Sequence, residues 1–180
     1  SPRGGITLPN RITIAPMCQY AANDGEANDW HLMHWGNLLN SGAALFTIEA
    51  TAVLAEGRIT PHCLGLWDAH TAAKLADTLH RARKLAPHTA VCIQLAHAGR
   101  KANSLIPWRG GFNETDAEKL DLGFEAWTSV APSAERHSAS YPVPEALDEA
   151  GLGLTDLDAD TVKLAVRYQD DVKRSAMRSA

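Results

Sequence analysis

The chain contains 180 residues, of which 45% are hydrophobic and 21% are charged. This length suits one soluble domain with a buried core, whereas a complete eight-stranded α/β barrel needs about 250 residues. The net charge is −4, and no basic block stands out, which argues against nucleic acid or a membrane surface as the main partner. No apolar stretch reaches the roughly 20 residues of a membrane span. The cysteines have no paired spacing, which favours a reducing, cytoplasmic location over a disulfide scaffold.

The beginning of the chain predicts a strand, a helix and a second strand. Residues 12–16 form a short apolar run that ends in a proline. Asp29 is the candidate cap of a helix from Trp30 to about Asn40, which a glycine ends. Residues 43–48 are apolar except for one threonine. Such a run is typical of a strand that is covered on both faces in a parallel sheet.

A second helix is expected over residues 71–86, and a third strand over residues 89–95. The resulting β-α-β-α-β order predicts parallel strands joined by right-handed crossovers. Residues 102–155 contain prolines and scattered aromatic residues, which indicates a packed excursion rather than a linker. Within it, residues 127–132 are a candidate arm of a small hairpin. A last helix is expected over residues 157–177, with Thr155 as its cap.

Polar or reactive side chains follow each predicted strand. Ligands of parallel α/β proteins bind at the carboxyl ends of the strands, so these residues should face one site. Cys18 and Tyr20 are two apart on an extended segment, which points both side chains to one side. Gln94 lies at the end of the third strand, where its amide offers both a donor and an acceptor. It would suit a heterocycle with alternating N–H and C=O groups.

Taken singly, each of these residues also has a purely structural interpretation. A cysteine after a strand is usually a small buried hydrophobe. Tyr20 is equally typical of a core or rim position, and Gln94 of a solvated amide. His31 and His34 have a spacing that could hold a metal, but no cysteine or carboxylate completes the set, so zinc is not favoured.

A second group of polar residues follows the third strand. His97 lies close to Arg100 and Lys101 in the sequence, which fits an anion site or a structural salt network equally well. No phosphate-binding glycine loop is present in the sequence.

Together, the segments at the predicted strand ends strongly resemble the Old Yellow Enzyme family of FMN-dependent ene reductases. The resemblance continues in the expected order over nearly the whole chain and includes the Ala-Pro-Ser segment at 131–133. The cysteine at position 18 is similar to that of the thermophilic-like subclass, which includes the xenobiotic reductases. The matching segments are 9–12 (PNRI), 15–20 (APMCQY), 29–31 (DWH), 49–53 (EATAV), 56–60 (EGRIT) and 93–101 (IQLAHAGRK).

This resemblance implies an α/β fold in which residues 1–180 are the N-terminal portion of one (β/α)₈ TIM-barrel domain. The portion would comprise three βα units and a capping excursion at 102–155. FMN would bind at the carboxyl face of the barrel, with NADPH or NADH as the reductant. The reduced flavin would pass a hydride to an activated alkene.

The resemblance also assigns roles to individual residues. Cys18 would lie near the reactive flavin nitrogen and tune its potential, and Tyr20 would direct its hydroxyl into the substrate space. Gln94 would pair with the pyrimidine edge of the flavin, and Ala52 would make a backbone contact to the ring. The implied cofactor-binding residues are Ala15, Pro16, Met17, Cys18, Ala52 and Gln94, and the implied catalytic residues are Tyr20 and Cys18.

The family's substrate-binding histidine pair, its proton-donating tyrosine and further flavin contacts belong to later strands. We therefore expect a complementary polypeptide carrying strands four to eight, supplied by a natural split, an engineered split or the rest of a longer chain. The assembled barrel is expected to form a higher oligomer and to take small activated alkenes. The alternative is an inactive fragment that self-associates as a structural or interaction module. A different barrel enzyme, such as a metal-dependent lyase, is disfavoured because carboxylates and histidines do not cluster at the strand ends.

Overall fold

The strands and helices follow the predicted alternation along the chain. A computed structural model describes residues 5–84, 86–109, 126–139 and 141–147. In chain order the elements are β1 (Thr13–Ile14), α1 (Asp29–Leu39), β2 (Leu45–Ala52), β3 (Leu64–Gly65), α2 (Ala69–Arg83), β4 (Ala90–Ala96), β5 (Val130–Ala131) and β6 (Glu145–Ala146). Short 3₁₀ turns lie at Ala55–Gly57, Gly99–Lys101 and Pro107–Arg109.

Strand β2 is the centre of a parallel sheet. On one side β1 pairs with its beginning, with Thr13 opposite Leu45, and β3 pairs with its end. On the other side β4 runs beside it, from Ala90 opposite Leu45 to Ala96 opposite Ala52. The parallel arrangement that the sequence predicts is therefore confirmed, and β3 is an additional strand. Because all these strands run in one direction, the loops after β1, β2 and β4 emerge at the same edge of the sheet.

The cap of α1 differs from the predicted one by a single residue. The Asn28 side chain accepts a hydrogen bond from the Trp30 N–H, 3.1 Å away. The Asn28 backbone N–H in turn donates to Nδ1 of His31, which makes a reciprocal capping box. Asn28 has extended backbone angles, whereas Asp29 already belongs to the helix. The prediction of Asp29 as cap was therefore wrong, because two adjacent residues can both cap and only the backbone angles separate them.

Helix α2 begins earlier than the periodic apolar pattern indicates. Asp68 caps it by accepting from the Thr71 N–H at 2.7 Å. The Thr71 hydroxyl satisfies the Asp68 backbone N–H at 3.3 Å. This box places the start of the helix at Ala69 rather than at Thr71. The helix ends at Arg83, before the predicted end at residue 86.

The two helices pack on one face of the sheet and form the core with it. Alternate strand residues lie on the other face, and of these Thr13, Cys92 and Gln94 are exposed. Residues 43–48 were expected to be covered on both faces of the sheet. Within the described part of the chain, only the face towards the helices is covered. The buried core cluster consists of Ala22, Ala27, Trp35, Leu39, Phe46, Ile48, Leu64, Leu75, Leu79, Ala82 and Ala86.

The described part of the excursion pairs differently from the prediction. Val130 lies opposite Glu145 and Ala131 opposite Ala146 in a parallel pair. The expected hairpin at 127–132 was therefore wrong, because a tight hairpin makes antiparallel strands and a parallel pair needs a longer return. The expected helix at 157–177 and its cap Thr155 lie outside the described residues.

The excursion is tied to the loops that follow the central strands. The Trp127 indole N–H donates to the Glu56 carbonyl at 2.9 Å. The Asn103 amide donates to the Trp127 carbonyl at 2.6 Å. Arg58 lies between two indoles, 5.2 Å from the Trp67 ring and 5.0 Å from the Trp127 ring. None of the helices within the described ranges is long and apolar enough to cross a membrane.

Candidate functional site

The loop after β1 brings Cys18 and Tyr20 together at the carboxyl edge of the sheet. Both side chains are half-buried, and each affects the pKa of the other. Tyr20 has a φ of 51°, in the left-handed region, which costs a residue with a side chain roughly 1–2 kcal/mol. Other contacts must therefore hold this loop. Along the same loop, Ala15 and Met17 are exposed and Pro16 is half-buried.

Glu49, on β2, makes one of these contacts from beneath the loop. Its side chain is almost completely buried, and its Oε2 accepts a hydrogen bond from the Gln19 backbone N–H at 2.8 Å. Its Oε1 lies 3.7 Å from Nε2 of His31, which is itself fully buried. Neither of these two atoms has a hydrogen-bond partner among the described residues. A carboxyl group and an imidazole thus face each other below the Cys18–Tyr20 loop.

Burial changes the ionisation of all four side chains. It raises the pKa of Cys18 to about 11, with smaller contributions from Cys63 and Glu49. It raises the pKa of Tyr20 to about 12, again with smaller contributions from neighbouring groups. Cys18 and Tyr20 are therefore protonated near neutral pH, as a neutral thiol and a hydroxyl that can donate a hydrogen bond.

The pKa values of Glu49 and His31 are shifted in the directions opposite to those of a surface ion pair, in which the pKa of the carboxyl group falls and that of the imidazole rises. Burial raises the pKa of Glu49 to about 7, although the hydrogen bond from Gln19 opposes this shift. Burial lowers the pKa of His31 to about 4, and the nearby His34 adds to the effect. His31 is therefore neutral near pH 7, whereas Glu49 changes its ionisation there. Perturbed groups of this kind are typical of functional sites.

Gln94 and Ala52 lie on the two neighbouring strands at this edge. Gln94 is exposed on the sheet face opposite the helices, so its amide is accessible to a ligand. Ala52 is buried, and its carbonyl accepts a hydrogen bond from the Leu66 N–H at 2.8 Å. Of the two, only Gln94 presents a polar side chain at this edge.

The residues after β4 form a structural network. His97 Nδ1 accepts from the Gly99 N–H at 3.1 Å, and the ring lies against Gly57, where a side chain would collide with it. Arg100 donates to the Ser133 hydroxyl at 3.0 Å and lies 3.5 Å from the Glu135 carboxylate. Arg100 therefore joins this turn to the excursion. These contacts favour the structural interpretation for Arg100, whereas Nε2 of His97 is buried without a hydrogen-bond partner among the described residues.

The histidines and cysteines do not assemble into a metal site in the part of the chain that is described. No group of three or more His, Cys, Asp or Glu side chains is placed to hold an ion there. His31 belongs to the capping box and faces Glu49 rather than a second ligand. Cys63 is buried beside Thr60. The three cysteines are not joined by disulfides.

The model of the NADH:flavin oxidoreductase / NADH oxidase family matches residues 3–117, which include the loop after β1 and the ends of β2 and β4. The chain belongs to this family. The NADH:flavin oxidoreductase FG08077 of Gibberella zeae is 42% identical to it over 145 residues, or 79% of this chain and 33% of that protein. The family membership that the strand-end segments predict is thereby confirmed.

Solved structures of other proteins have the same fold. Morphinone reductase matches 92% of the chain with a TM-score of 0.69 and 20% identity. The Old Yellow Enzyme from Pichia sp. matches 91% with a TM-score of 0.67 and 17% identity. The chain covers 43% and 40% of these two structures, and a third of the curated relative. The predicted identity as an N-terminal part of an α/β barrel is confirmed, and the barrel is not closed by the described strands.

Sequence reasoning does not identify Glu49 and His31 as partners. In the sequence, Glu49 is one residue of a strand-end segment, and His31 is a candidate metal ligand. One signal is present: a carboxylate directly after a strongly apolar run is rarely buried without a partner. Its partner is on the preceding helix, and that contact exists only in the folded chain.

Proposed function

We propose that the chain is the N-terminal, FMN-binding portion of an ene reductase that reduces electrophilic alkenes such as enones, with NADPH or NADH as reductant. The observation that carries this proposal is that half-buried Cys18 and Tyr20, in the loop after β1, and the exposed amide of Gln94, on β4, lie at the same edge of the parallel sheet. Family membership supplies the cofactor class. The finer assignment to alkene reduction rests on the resemblance of these strand-end segments to Old Yellow Enzymes.

The side chains at this edge fit a flavin. FMN, when bound, supplies hydride transfer, and the protein supplies binding, orientation and electrostatics. We assign Gln94 to the hydrogen-bonding edge of the ring, because its accessible amide is both donor and acceptor. Ala15, Pro16, Met17 and Ala52 are proposed to line the ring, mainly through backbone groups.

Cys18 and Tyr20 are the proposed catalytic residues of this chain. Because the pKa of Cys18 is raised to about 11, the ring would meet a neutral, polarisable thiol rather than a thiolate. The pKa of Tyr20 is raised to about 12, so its hydroxyl keeps its proton and can donate a hydrogen bond to a substrate. The pair would thus orient and polarise without carrying charge.

The remaining barrel strands are proposed to come from a complementary polypeptide or from a continuation of the same one. Support comes from the sheet face opposite the helices, where Thr13, Cys92 and Gln94 are exposed. Covering this face would complete a barrel interior. We expect an apolar interface in the class of obligate complexes, above about 2,000 Å², and further assembly of the completed barrel into an oligomer. A self-associating module without enzyme activity is the alternative use of the same face.

In the numbering of a complete barrel, β1, β2 and β4 of this chain are strands one to three. Mixing the chain with a polypeptide that carries barrel strands four to eight of a complete relative tests this function. Size-exclusion chromatography with flavin absorbance should show a stoichiometric yellow complex that reduces 2-cyclohexenone with NADPH or NADH. The chain alone should bind FMN weakly, oligomerise and show no turnover. A colourless self-associated chain that ignores the added strands would favour the module. A monodisperse, active monomer of the chain alone would refute the need for complementation.

A further inference from the structure

A buried carboxylate under a loop with unfavourable backbone angles needs an explanation. Glu49 is 3% exposed, and its hydrogen bond to the Gln19 N–H crosses from β2 to the loop after β1. Gln19 lies between Cys18 and Tyr20. The bond therefore holds the loop at its midpoint, next to the residue whose φ is 51°.

The position of Glu49 is supported in turn by α1. Nδ1 of His31 lies within hydrogen-bond distance of two Asn28 atoms, 3.2 Å from the backbone N–H and 3.0 Å from Oδ1. Nε2 faces Oε1 of Glu49 at 3.7 Å. The Asn28 cap of α1 thereby fixes the orientation of the His31 ring and turns Nε2 towards the carboxylate.

We propose that Glu49 is a positioning residue that fixes the Cys18–Tyr20 loop through the Gln19 N–H, with His31 as its buried partner. The structural part of this proposal stands on the contacts above. Its relevance to catalysis rests on the proposed function, because that function assigns Cys18 and Tyr20 to the active site.

Glu49 also makes a smaller contribution, after burial, to the raised pKa values of the groups around it. From the loop after β1, Cys18 and Tyr20 face it, and the negative charge of Glu49 contributes to the raised pKa of each. Cys63, from the segment before β3, is raised in pKa by burial and to a smaller extent by Glu49. On α1, His31 is neutral near pH 7 because burial lowers its pKa, and the pKa of His34 is shifted downward by the same cause. None of these groups supplies a permanent positive charge.

The ionisation of Glu49 therefore couples the loop to pH. When ionised, the carboxylate makes a charge-assisted bond to the Gln19 N–H, which is stronger than the bond to a neutral acid. It also disfavours a thiolate at Cys18. Burial nevertheless outweighs this hydrogen bond and raises the pKa of Glu49 to about 7. Ionisation of Glu49 through that pH therefore favours opening of the loop, which brings the carboxylate into water.

Alkylation of the individual cysteines by iodoacetamide, followed by peptide mass spectrometry, measures the effect on the thiol. The chain is used alone or in the complex described above, without FMN. The thiolate is the reacting species, so the rate at Cys18 reports its pKa. At about pH 9, Glu49→Gln should raise this rate ~2- to 10-fold, where tenfold corresponds to a pKa change of about 1. Glu26→Gln is the matched control, because Glu26 contacts His70 and Lys74 instead.

Amide hydrogen exchange at Gln19 measures the positioning. Glu49→Gln keeps an acceptor for the Gln19 N–H and should keep most of its protection, whereas Glu49→Ala should exchange at least about tenfold faster. In the unmodified chain, the protection factor of this amide should fall as pH increases through about 7. It should stay flat in Glu49→Gln. The comparison of pH dependence between the unmodified chain and Glu49→Gln stays decisive even if Glu49→Ala fails to fold.

The proposal is overturned if Glu49→Gln leaves both the alkylation profile of Cys18 and the pH dependence of Gln19 exchange unchanged. Equal changes in Glu49→Gln and Glu26→Gln would also overturn it, since they would show a general effect of charge. None of these readouts involves FMN. Failure of flavin binding would therefore count against the proposed function, and failure here against the role of Glu49.

Discussion

Arg58 connects the excursion to the barrel strands, and its replacement provides a quantitative test of the structure. Its guanidinium lies between the Trp67 and Trp127 rings. Its Nε donates to the Ala55 carbonyl at 2.8 Å. The side chain is 14% exposed and also reaches Asp24, whose side chain is 85% exposed. Arg58→Ala removes all these contacts at once.

The size of the effect follows from the burial of each contact. A cation–π contact contributes about 0.5–1 kcal/mol at the surface and about 2 kcal/mol when desolvated. A hydrogen bond from a charged group contributes about 1.5–3 kcal/mol. The ion pair with exposed Asp24 adds about 0–1 kcal/mol. Allowing for non-additivity among neighbouring contacts, we expect Arg58→Ala to lower the free energy of unfolding by about 2–5 kcal/mol.

Urea denaturation followed by tryptophan fluorescence measures this loss. Iodide quenching in the absence of urea reports separately on the release of Trp127. Arg58→Lys should recover only a minority of the loss, because an ammonium lacks the planar fork that stacks on both rings. Asp24→Asn is the control and should change stability by less than about 0.5 kcal/mol. A loss below about 0.5 kcal/mol in Arg58→Ala, with quenching unchanged, would refute the stacked arrangement.

Three further predictions concern the candidate site. Because burial raises the pKa of Glu49 to about 7, its contribution to stability is complete below about pH 4.5 and is lost as pH rises through about 7; the urea midpoint should fall over that interval, and an equal fall in Glu49→Gln would contradict this. In the complemented enzyme, Cys18→Ala should shift the flavin midpoint potential while FMN stays bound, and an unchanged potential would remove Cys18 from the flavin. Gln94→Leu should cost roughly 1–3 kcal/mol of FMN binding, a loss of about 5- to 150-fold in affinity by fluorescence titration. Cys92→Ala, two residues earlier on the same exposed strand face, should leave the affinity unchanged, and equal losses in both variants would argue against a specific role for Gln94.

The order of the main elements was predictable because the signals that define them are local. Residues 43–48 and 89–95 are apolar runs of strand length, and the parallel pairing of β2 with β4 agrees with that pattern. The strand-end segments are also sufficient to identify the family, since the residues of each segment are contiguous in the sequence. The short β3 escaped prediction because two residues carry no periodicity. It is a strand only because the end of β2 lies beside it.

The residues of the candidate site likewise fall into those that a local sequence pattern predicts and those that only the folded chain brings together. Cys18, Tyr20 and Gln94 could be selected from sequence alone, because each lies near the carboxyl end of a recognisable strand, and parallel strands bring these ends to one edge. The capping residue Asn28 and the parallel pairing of β5 with β6 depended on backbone angles and on the return path of the chain. The facing of Glu49 and His31 depended on the packing of α1 against β2. Burial at that contact shifts the pKa of both groups, and burial is a property of the folded chain that no local pattern of residues contains.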